Sequence, residues 1–75
     1  MKLNRIKTVL ESKGVSQTWL AKQLGLSYGT VNSYACNRTQ PSLNKLLEIA
    51  NLLNVDMKDL ITEAEDRYWA WITDY

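Results

Sequence analysis

Seventy-five residues are enough for one domain and too few for two, and a core of this size is marginal unless helices pack tightly or chains associate. With 45% hydrophobic residues, three glycines and one proline, the composition excludes a disordered or collagen-like chain and suits a globular helical domain. The net charge of +1, the single cysteine and the absence of histidine leave no internal disulfide and remove most metal-ligand sets, so neither metal nor cofactor is expected.

In chain order, Leu3, Ile6, Val9 and Leu10 recur at helical spacing, predicting a first helix that runs to Lys13, where Gly14 supplies a stop. Ser16 is an N-cap candidate for a second helix over residues 17–24, and Ser27 for a third over 28–36. The run from Asn37 to Pro41 breaks the pattern, because proline biases Gln40 away from helical geometry. Ser42 then caps a fourth helix with Leu43, Leu46, Leu47, Ala50 and Leu53 along one face, and Asn54 can end it in the left-handed region. Asp56 caps a short fifth helix whose Met57, Leu60 and Ile61 close the core. The division expected is residues 1–62 as one helical bundle and residues 63–75 as an extension.

That extension changes character. Glu63, Glu65 and Asp66 make an acidic stretch, and Tyr68, Trp69, Trp71, Ile72 and Tyr75 an aromatic cluster too apolar for a free end. These five residues are candidates for a dimer or partner contact. Read as a helix, Ile61, Ala64, Tyr68, Trp71 and Tyr75 share one stripe; read as a strand, Trp69, Trp71 and Thr73 face opposite to Tyr68, Ala70 and Ile72. The helix is preferred.

The segment from Gln17 to Cys36 carries the functional signal. Leu20, Ala21 and Leu24 form one apolar stripe, Gly25 and Leu26 a corner, and Val31 and Tyr34 a second stripe. Gly25 can take the left-handed conformation this corner needs, and Ala21 is small where the two helices cross. This is the pattern of a helix-turn-helix, which presents its second helix to the DNA major groove. Charge is asymmetric in the same sense: residues 1–45 carry +6 and residues 46–75 carry −5. A polyanion would meet one end of the molecule and be repelled by the other.

The chain resembles the XRE-type, or phage-repressor-like, helix-turn-helix regulators over residues 3–62. The resemblance rests on Gln17, the Leu20-Ala21 and Leu24-Gly25 pairs, Ser27, Val31, Asn37-Arg38, Pro41-Ser42, Leu46, Ile49-Ala50, Val55 and Leu60. It implies an all-α, compact five-helix bundle of the lambda-repressor type, to which residues 63–75, read as a helix, add a C-terminal helical extension. It further implies a homodimer that binds near-palindromic double-stranded DNA through the third helix, more often to repress than to activate.

Helix geometry turns Val31, Tyr34 and Ala35 inward. Together with the resemblance, this makes Ser27, Tyr28, Gly29, Asn32 and Ser33 the candidates for reading bases. Asn32 suits adenine, Ser33 is less selective, and Tyr28 can offer its hydroxyl or its ring, unless the ring packs over the second helix. No arginine or glutamine lies on this helix and Gly29 has no side chain, so specificity should lean to A·T and partly to DNA shape. Gln17, Asn37, Arg38, Thr39, Gln40 and Lys45 are the phosphate-contact candidates, Gln17 because a helix N-terminus favours anions.

Trp19 reads as a core or interface residue and Cys36 as a semi-buried thiol without a redox partner. An acid–base or nucleophilic site has few candidate residues, so no enzyme is expected. No apolar run approaches membrane-spanning length, and a cytoplasmic protein follows. An alternative reading makes the chain an antitoxin-like module whose aromatic C-terminus binds a protein partner, with DNA binding serving autoregulation.

Overall fold

Serines begin three of the helices and left-handed residues end them. In the computed structural model, which describes residues 2–61, these helices are α1 (Ile6–Lys13), α2 (Gln17–Leu24), α3 (Tyr28–Ala35) and α4 (Leu43–Leu53). A 3-10 turn, Met57–Leu60, follows. The aromatic candidates Tyr68, Trp69, Trp71, Ile72 and Tyr75, and the choice between helix and strand for them, lie outside the described residues.

Ser16 Oγ accepts from the Trp19 N–H at 3.0 Å, Ser27 Oγ from Thr30 at 3.2 Å and Ser42 Oγ from Lys45 at 3.2 Å. Each bond satisfies an amide that has no partner within its helix. At the C-terminal ends of α1, α2 and α4, Gly14, Gly25 and Asn54 sit at φ 69°, 69° and 56°. The next residue's amide then reaches back five positions: Val15 to Leu10 O (3.1 Å), Leu26 to Ala21 O (3.0 Å) and Val55 to Ala50 O (3.0 Å). These are Schellman turns, which return the following residue against the helix just ended. Val15, Leu26 and Val55 accordingly pack on the core.

That core comprises Ile6, Val9 and Leu10 of α1, Leu20 and Ala21 of α2, Val31 of α3, Leu46, Ile49, Ala50 and Leu53 of α4, and Leu60. The bundle is all-α, as expected, but its fifth element is a single 3-10 turn and not an α-helix. With four residues it has no room for a full helical hydrogen-bond ladder, and the Asp59 carboxylate steadies it by accepting from the Asp56 N–H at 3.3 Å.

Four apolar residues read as core lie outside it: Leu3, Leu43, Leu47 and Ile61 are 48%, 76%, 47% and 39% exposed. In α4 the buried set is Leu46, Ile49, Ala50 and Leu53, which is one clean helical stripe. Leu47 lies about 100° off that stripe, and Leu43 overhangs the helix start. Leu3 and Ile61 lie at an isolated bridge. Asn4 bridges Ile61 antiparallel, and the Arg5 N–H donates to Leu60 O at 2.8 Å. Leu60 ends the 3-10 turn inside the core and Ile61 follows it at the rim, while Leu3 is exposed beside the buried Asn4.

Asn4, only 6% exposed, is therefore a buried polar residue, and its bonds are complete. Its Nδ2 donates to Tyr34 O (2.9 Å) and Gln40 Oε1 (2.7 Å), and its Oδ1 accepts from the Ile6 N–H (3.0 Å). The N-terminal segment is thus fastened to the end of α3 and the loop beyond it.

Candidate nucleic-acid interface

The corner between α2 and α3 fixes the candidate surface. Gly25 turns the chain, Leu26 fills the angle, and Ser27 starts α3 while its Oγ also lies 3.0 Å from Thr30 Oγ1. α3 is held from beneath by Val31 and Ala35, 0% and 5% exposed, with Tyr34 packed beside them. Its other side carries the base-reading candidates. Ser27, Tyr28 and Gly29 are exposed, Tyr28 by more than half, and Asn32 and Ser33 are half-buried one turn later. A helical side chain leans back over the turn before it, so Asn32 stands over Tyr28 and Gly29, where the glycine leaves the surface bare.

Asn32 is the best-anchored of these side chains. Its Nδ2 donates to Gln17 Oε1 at 2.9 Å, and its Oδ1 accepts from Arg38 Nη2 at 2.7 Å. One chain of hydrogen bonds therefore joins the start of α2, the middle of α3 and the loop after it. Two phosphate candidates, Gln17 and Arg38, meet through one base-reading candidate.

The loop candidates divide. Arg38 and Thr39 are exposed. Asn37 is half-buried at φ 59°, and its side chain turns inward. Its Oδ1 accepts from the Leu3 N–H (2.8 Å), the Asn4 N–H (2.9 Å) and Gln40 Nε2 (3.2 Å), while its Nδ2 donates to Asn4 O (3.2 Å). Gln40 is exposed, yet both ends of its amide are engaged, with Asn37 and with Asn4. A phosphate bond from either side chain would have to displace these contacts. Lys45, in the first turn of α4, pairs with Glu48 at 3.2 Å. A surface pair of this kind is worth about 0–1 kcal/mol, so an incoming phosphate can take its place.

Among the described residues, eight Lys/Arg face four Asp/Glu, so this body is positive. Trp19 is half-buried against the core. Cys36 is exposed rather than semi-buried, because α3 ends at Ala35 and the next residue lies at the rim. No described helix is long and apolar enough to cross a membrane, and no group of three metal-ligating side chains occurs among the described residues.

Sequence reasoning had missed the Asn4–Asn37–Gln40 tie and the Gln17–Asn32–Arg38 chain. The first had one visible cue: Asn37 follows a helix as Asn54 does, and asparagine is the residue besides glycine that most readily takes the left-handed conformation. The second joins residues 15 and 6 positions apart, a juxtaposition that only the packing of α2 on α3 reveals.

A helix-turn-helix family model matches residues 6–60. Among solved structures, the crystal structure of a putative DNA-binding protein from Bacteroides fragilis is similar, with 48% identity and a TM-score of 0.80 over 83% of this chain and 100% of that one. No curated protein matches the sequence.

Proposed function

The chain belongs to the XRE-type helix-turn-helix family, and from that premise we propose that it is a sequence-specific, double-stranded-DNA-binding transcriptional regulator. The observation that carries this reading is the outer face of α3, presented to solvent over a buried Val31–Ala35 underside on a positively charged body. In this reading residues 1–62 form the DNA-binding domain, and α3 enters the major groove with Ser27, Tyr28, Gly29, Asn32 and Ser33 nearest the base edges. Gln17, Arg38, Thr39 and Lys45 hold the flanking phosphates, which set register without reporting sequence. Asn37 and Gln40 serve the same contact chiefly by holding the loop in place.

The protein acts in the cytoplasm as a homodimeric repressor and carries out no catalytic step. Two recognition helices related by a two-fold axis should lie about 34 Å apart, one turn of duplex, so the operator is near-palindromic. The test is selection of bound duplexes from a random pool. Paired half-sites about 10 base pairs apart, with affinity falling steeply as salt rises, support the reading. A recovered pool without symmetry and an affinity indifferent to salt would sink it.

One observation favours a second reading. Leu3, Pro41, Leu46, Leu60 and Ile61, the last of the described residues, line an open cavity of about 220 Å³. An antitoxin-like module, binding a protein partner through its aromatic C-terminus, would have its apolar surface there. Deleting residues 66–75 separates the two: loss of the dimer favours the regulator, and an intact dimer that no longer binds its partner favours the module.

A further inference from the structure

The fourth helix stop differs from the other three. Asn37 is left-handed at φ 59°, its N–H reaches Tyr34 O at 3.0 Å, and the next amide reaches back five positions, from Arg38 to Ser33 O at 2.9 Å. That is the bonding seen after Gly14, Gly25 and Asn54. There the returning residue is valine or leucine and packs on the core; here it is an arginine. The turn that would tuck an apolar side chain under the helix instead brings Arg38 back to α3, where Nη2 meets Asn32 Oδ1 at 2.7 Å. A guanidinium donor at this distance makes a strong, charge-assisted bond.

We propose that Arg38 is a positioning residue for base recognition, which fixes the way round that the Asn32 carboxamide faces the DNA. The inference rests on the reading above that Asn32 contacts a base. A carboxamide has two orientations, related by exchanging its oxygen and its NH₂. Against the major-groove edge of adenine only one works, with NH₂ toward N7 and oxygen toward the N6 amino group. Arg38 can bond only the oxygen, since it has donors and no acceptor, and Gln17 Oε1 can bond only the NH₂. The choice rests on Arg38, because the Gln17 carboxamide can itself turn over and offer NH₂ in place of its oxygen. One Nδ2 hydrogen remains for the base; the second Oδ1 position is held only by the Cys36 thiol, a weak donor at 3.8 Å that the adenine amino group would displace, so the order is fixed. A fixed order distinguishes adenine on one strand from adenine on the other, because the reversed pair presents thymine O4 and its methyl group instead. Arg38 would then couple phosphate contact to sequence: the side chain nearest the backbone also sets what Asn32 reads.

The experiment is selection from a random duplex pool with the wild type, Asn32→Ala and Arg38→Ala, followed by titration of the recovered duplex with A·T exchanged for T·A at each position. The wild type should prefer one orientation at one position per half-site by about 5- to 150-fold. Asn32→Ala should abolish that preference; if it does not, the base contact itself is wrong and the inference goes with it. Arg38→Ala should reduce the same preference to within about twofold while sparing other positions. If it weakens all duplexes uniformly and leaves that preference intact, Arg38 is a phosphate contact alone and the inference is overturned, with the base contact standing. A readout without DNA accompanies it. The side-chain amide resonances of Asn32 in the free protein should shift in Arg38→Ala, and unchanged resonances would equally overturn the proposal. Arg38 is exposed, so the variant should melt close to the wild type.

Discussion

Asn37 offers the sharpest test of how this small bundle is held together. Replacing it with alanine removes the acceptor shared by the Leu3 N–H, the Asn4 N–H and Gln40 Nε2, and the donor to Asn4 O. The Leu3 and Gln40 groups can turn to water, at about 0.5 kcal/mol each, whereas the buried Asn4 N–H and C=O lose partners at about 1 kcal/mol each or more. Alanine at φ 59° adds about 1 kcal/mol of backbone strain. The loss is about 4 kcal/mol, most of the 5 or so that a domain this small possesses. At about 4–8 °C per kcal/mol, the melting temperature should fall by about 15–30 °C.

Asn37→Gly loses the same hydrogen bonds but relieves the strain, so it should melt about 5 °C above Asn37→Ala. Asn37→Asp keeps the shared acceptor and should fall between alanine and the wild type. Thermal unfolding by circular dichroism measures all three, and DNA titration well below the melting range separates stability from binding. An alanine variant that melts within about 2 °C of the wild type, or a glycine variant less stable than the alanine one, would refute this account of the loop.

Asn32→Ala should cost about 1–3 kcal/mol at one operator base pair and little on random duplex, as competition titration will show; equal losses on both would mean that Asn32 reads no base. Gly29→Ala should raise stability by about 0.5 kcal/mol, because a Cβ there meets only Ser27 Oγ, at 3.9 Å. The same variant should bind DNA more weakly if bare backbone approaches the duplex, and a lowered melting temperature would contradict the open space at this position. Glu48→Gln should tighten DNA binding a few-fold at low salt by freeing Lys45, an advantage that vanishes near 1 M salt; a gain that persists there would exclude an electrostatic origin.

Much of this molecule was legible in its residues because its helix boundaries are written in local chemistry. Ser16, Ser27 and Ser42 cap helices as their positions predict, and Gly14, Gly25 and Asn54 stop them in the left-handed region. Those signals act within five residues and need no knowledge of the fold. What escaped was decided at long range. Leu3 and Ile61 are as apolar as true core residues, and only their places at the rim, next to the buried Asn4 and Leu60, leave them exposed. Asn4 is a polar residue ahead of a helix, and nothing local says that it will be buried among partners 30 and 36 positions away. Asn37 joins both classes. The break in helical pattern that begins at Asn37 was visible, and the residue's roles as left-handed stop and clamp on the N-terminus were not. The candidate site follows the same rule: the exposed side of α3 comes from periodicity, and the bonding of Asn32 to Gln17 and Arg38 comes from helix packing.

The central claim is that the outer side of α3 is the surface that meets DNA. Titrating a selected duplex into isotopically labelled protein and following backbone and side-chain amide resonances tests it directly. The account predicts that the largest shifts fall on Gln17, residues 27–33 and Arg38, while the exposed apolar residues Leu3, Leu43, Leu47 and Ile61 stay quiet or respond only through dimer contacts. Shifts concentrated on those four residues, with Tyr28, Asn32 and Ser33 unmoved at saturation, would contradict it.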